Sequence, residues 1–72
     1  MQVKDIVEGG YYKSQKKVFH VLDIVHHDGK KQLPMVSYQT YDQYGRQIHE
    51  TRHCFLGAFA EVMESRVQPR RA

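Results

Sequence analysis

A chain of 72 residues makes a single domain that removes only about 60% of its unfolded surface from water on folding, so its core is thin. Hydrophobic residues at 40%, charged residues at 26% and a mean hydropathy of -0.69 fit a globular chain that folds without a cofactor rather than a disordered tail. Eleven Lys and Arg against eight Asp and Glu give a formal charge of +3, which permits weak, salt-sensitive attraction to phosphate, whereas dedicated nucleic-acid binders concentrate charge on one face.

Residues 3–7 form a short run that reads as an edge strand or a loosely tied terminus, closed by the turn signal Glu8-Gly9-Gly10. Tyr11-Tyr12-Lys13 is a second extended piece, ending at the polar bend Ser14-Gln15-Lys16. Residues 17–26 are rich in β-branched and aromatic side chains and stop at Asp28-Gly29, a hairpin turn. Apolar side chains fill both alternating sets, with Phe19, Val21 and Val25 on one and Val18, Leu22 and Ile24 on the other. This predicts a central strand covered on both sides. Its partner spans residues 33–42, with Pro34 at the start because proline cannot donate to a ladder. Residues 42–46 make a second hairpin with Gly45 at a positive φ, and the polar residues 47–54 form the third long strand. In residues 55–67, Phe55, Phe59, Val62 and Met63 fit a helical face that Gly57 weakens. A tight helical turn over residues 55–59 followed by a strand over 60–66 is the reading taken, with one continuous helix as the alternative. Residues 68–72 read as a basic tail.

The fold class expected is therefore mainly β: a small SH3-like barrel, or a strongly bent antiparallel sheet of about five strands, with a short helical turn or helix near the C-terminus. The pattern Gly10-x-Tyr12, Val18-Phe19-x-Val21-Leu22-Asp23-Ile24-Val25-His26, Pro34-Met35-Val36-x-Tyr38 and Phe55-Leu56-x-x-Phe59-x-x-Val62 resembles a family of short bacterial SH3-like barrel proteins of unknown function. The chain differs from that family over residues 48–53, where a shorter strand with tryptophan and then Arg-Pro is expected. The resemblance implies a fold and no established activity.

No apolar run reaches the roughly 20 residues needed to span a bilayer, and the N-terminal segment lacks the layout of a signal peptide. The lone Cys54 has no internal disulfide partner. A cytoplasmic location away from membranes is expected. His20, His26, His27, His49, His53 and Cys54 supply metal-ligand chemistry, but on a strand His49 and His53 lie about 13 Å apart and no ligand-pair motif occurs. Cys54 reads as a small buried thiol. Asp23, set among apolar residues, either faces solvent or pairs with a base across the sheet. Without a phosphate loop or a nucleophile-base layout, catalysis is not expected.

Recognition by surface remains. Tyr11, Tyr12, Tyr38, Tyr41 and Tyr44 are interleaved with cations, and alternation puts Tyr38 with Val36 and Thr40 but Tyr41 with Met35 and Gln39, so Tyr38 and Tyr41 face opposite sides. A protein-interaction module, such as an accessory or inhibitory factor of bacteria or their phages, would use an exposed patch containing Tyr41, Tyr44 and Met35, or self-pair an edge strand into a homodimer. A barrel binding RNA or single-stranded DNA would bring Lys13, Lys16, Lys17, Arg46 and Arg52 to one face with a tyrosine among them. A metal-binding protein would need His49 and His53 within ligand distance.

Overall fold

The computed structural model describes residues 1–26 and 33–67. The expected Asp28-Gly29 turn and the C-terminal tail lie outside the described residues. A 3-10 turn at Val3–Asp5 precedes strands β1 (Tyr11–Ser14), β2 (Lys17–Val25), β3 (Met35–Tyr41) and β4 (Gln47–Phe55), then helix α1 (Leu56–Val62) and strand β5 (Ser65–Val67). The five strands form one antiparallel sheet in the order β4-β3-β2-β1-β5. The mainly β class holds, in its open form: β4 and β5 are the two edges and do not pair, so the sheet does not close into a barrel.

Turn chemistry sets the meander. Gln15 and Lys16 both have positive φ, 52° and 65°, as a two-residue turn between right-twisted strands requires, and Ser14 pairs directly with Lys17. In the second hairpin the Asp42 carboxylate accepts the N–H groups of Tyr44 and Arg46, each at 2.9 Å, while Gly45 takes φ 83°.

The C-terminal segment corrects two expectations. The helix runs three residues beyond Phe59, and the last strand is only Ser65–Val67. The stripe that decides this is Leu56, Phe59, Ala60 and Met63, all buried and spaced i, i+3, i+4, i+7. Phe55 and Val62, expected on the helical face, are 52% and 58% exposed. Gly57 points into open space, so it costs helix propensity and no packing. The helix is pinned at both ends: the Leu56 N–H donates to the Pro34 carbonyl (2.9 Å), and the Ser14 hydroxyl donates to the Val62 carbonyl (2.7 Å).

By crossing from the β4 edge to the β5 edge, α1 lays its stripe on one face of the sheet. Phe59 sits among the rings of Tyr12, Phe19 and Tyr38, with centroids 5.9, 6.1 and 5.2 Å away, and Val21 and Val36 are fully buried beneath. Of the two readings of residues 3–7, an edge strand or a loosely tied terminus, the edge strand does not form. The 3-10 turn instead delivers Ile6 to the core, locked by the buried Tyr12 ring. The Val7 N–H donates to the Tyr12 hydroxyl (2.8 Å), which donates to the Asp5 carbonyl (2.9 Å).

β2 is the middle strand as expected, but among the described residues only one of its faces is covered. The register shifts between Val21 and Asp23, so Leu22 is the extra residue of a β-bulge. The bulge transfers Ile24 to the face of Val21 and leaves Leu22 and Val25 39% and 40% exposed.

Candidate binding face

Residues directly opposite in an antiparallel ladder project to the same side, so the register sorts the sheet into two faces. Toward the helix lie the rows Tyr12–Phe19–Thr40–His49, Val21–Tyr38–Arg52 and Ile24–Val36–Cys54. On the other side lie Lys13–Val18–Tyr41–Gln47, Tyr11–His20–Gln39, Asp23–Ser37–His53 and Val25–Met35–Phe55. Among the described residues no helix or turn packs on this second side.

The open face is ordered by contacts among its own side chains. Tyr11 stacks flat on His20, with ring centroids 4.2 Å apart, and the Tyr41 hydroxyl donates to Gln39 Oε1 (2.8 Å). Ser37 Oγ and His53 Nδ1 are 2.8 Å apart. This hydroxyl–imidazole pair is exposed, with Asp23 opposite Ser37 on the neighbouring strand, and among the described residues no carboxylate hydrogen-bonds His53, as the orienting acid of a general base would. Tyr11, Val18, Met35 and Tyr41 are half-buried by their neighbours, while Val25 and Phe55 are largely exposed.

Asp23 faces solvent, as expected on a half-covered side, but its neighbour is an acid and not a base. The Glu8 carboxylate accepts the Ile24 N–H (2.9 Å), which holds the Glu8 carboxyl below its ordinary range. A hydrogen bond to Glu8 pushes the Asp23 carboxyl above its own. The two carboxyls share one proton more readily than they bear two charges. On the helix side, burial pushes the half-buried Cys54 thiol up, which keeps it a packing group rather than a nucleophile at neutral pH.

Of the side chains singled out from sequence, Lys13, Met35 and Tyr41 lie on the open face. Tyr44 is 68% exposed on the second hairpin, with the Arg46 guanidinium 5.5 Å from its ring centre and paired to Asp42 at 3.2 Å. Because Val18 pairs with both Lys13 and Tyr41, this hairpin and the Gln15–Lys16 turn stand at the same end of the sheet. Lys16 is in that turn, and Lys17, opposite Ser14, projects to the helix side. Arg52 opposes Tyr38 on the helix side as well, away from the basic end, so the five cations do not converge. His49 pairs with Thr40 and His53 with Ser37, which puts these two histidines on opposite faces and removes the basis for a shared metal. Among the described residues no group of three His, Cys, Asp or Glu side chains is placed to hold an ion.

Sequence reasoning missed Tyr11, His20, Val25 and Phe55 as members of this face. Alternation from Met35 and Tyr41 carries the signal along β3, but locating the neighbours requires the cross-strand register. No helix among the described residues is long and apolar enough to cross a membrane. Comparison with known proteins gives no match to a family model, a curated protein or a solved structure.

Proposed function

We propose that this chain is a small non-catalytic protein-interaction module whose working surface is the open face of the sheet. One observation carries the reading: among the described residues nothing packs on the row Val25–Met35–Phe55, which sets an aliphatic, a thioether and an aromatic group side by side at one end of the sheet, with Tyr11, Val18 and Tyr41 on the same face beyond the Asp23–Ser37–His53 row. Methionine and aromatic side chains with few charges are the composition of interface centres. The test is cross-linking in native extract with wild type and Met35→Glu, whose fold is monitored by circular dichroism. Loss of the cross-linked protein species at unchanged fold is expected. Equal capture by the variant would remove the face from consideration.

A second reading, binding of RNA or single-stranded DNA, draws on the basic end of the sheet, where Lys13 shares the face of Tyr41, Lys16 stands in the first turn and Arg46 lies beside Tyr44 in the second hairpin, while Lys17 projects to the other side. Stacked bases and neutralised phosphates need that combination. It ranks below the first because Arg46 is already engaged by Asp42 and Tyr44 and Arg52 stands apart. Anisotropy titration with short single strands separates the two. Binding at tens of micromolar that weakens with salt and on Arg46→Glu would put nucleic acid first; none is expected.

A further inference from the structure

We draw no further inference here: the strongest candidate, the uncovered face of the sheet around the Val25–Met35–Phe55 row, belongs to the surface already described, and nothing among the described residues shows what covers it.

Discussion

Gly10 and Tyr12 show how little freedom single positions have in so small a core. A Cβ on Gly10 would lie 2.6 Å from the Tyr12 hydroxyl and 2.8 Å from Cε2, and the ring cannot retreat because its hydroxyl is held by Val7 and Asp5. Gly10→Ala is expected to cost about 1–3 kcal/mol, the range of overpacked cores. Tyr12→Phe, which leaves both backbone groups without that partner, should cost about 1–3 kcal/mol as well. Thermal unfolding reads both. At the Glu8–Asp23 pair the sign depends on pH. Glu8 is depressed mainly by the Ile24 N–H, so its contribution is present above its unfolded pKa and is lost as pH falls through the folded value. Asp23 is raised mainly by Glu8, so its contribution is present in acid and is lost as pH rises through its folded value. Asp23→Asn keeps a donor for Glu8 without the second charge. It should raise the melting temperature at pH 7 and confer no advantage in acid, where Asp23 is protonated anyway; a uniform shift at all pH values would contradict the shared proton.

At the scale of elements, the first hairpin and the helix each carry one removable strain. Gln15 and Lys16 occupy the left-handed region without being glycine, which an L-residue enters at a cost of about 1–2 kcal/mol. Lys16→Gly should recover about 0.5–1 kcal/mol after the added entropy of the unfolded chain, seen as a higher denaturant midpoint at constant m-value. Gly57 has open space around its Cβ position and no positive φ. Gly57→Ala should therefore stabilise by about 0.5–1 kcal/mol through helix propensity. The same chemical change thus has opposite signs at Gly10 and Gly57, and equal signs at the two would refute the packing argument. Element phase was harder to read than element existence. Residues 55–67 announce apolar periodicity, but counting from Phe55 gives a face the helix uses only at Phe59 and Met63, because Phe55 completes β4 and the buried stripe begins one residue later.

For the whole molecule, the decisive feature is that α1 crosses from one sheet edge to the other over a single face, leaving an open sheet with one core. Eight hydrophobic residues make up the buried core among the described residues, a small reserve for any chain.

Local chemistry determined a good deal by itself. β-branched and aromatic alternation fixed β2 and β3, glycine and polar bends fixed the hairpins, and Pro34 marked the entry to β3. Period-two alternation correctly put Tyr38 and Tyr41 on opposite faces, and the tertiary structure decided that Tyr38 is the one packed against the core. These are short-range properties, set by side-chain direction and allowed φ, which a sequence carries residue by residue. The bulges, the sheet's failure to close and the emergence of one uncovered face were decided only in the tertiary structure. A single extra residue in β2 transfers Ile24 to the core, and the irregular register of β4 sends His49 and His53 to opposite sides, because each slip by one residue exchanges faces for everything that follows. Where such slips fall depends on which strand the backbone must bend to meet, and that is a property of the assembled sheet.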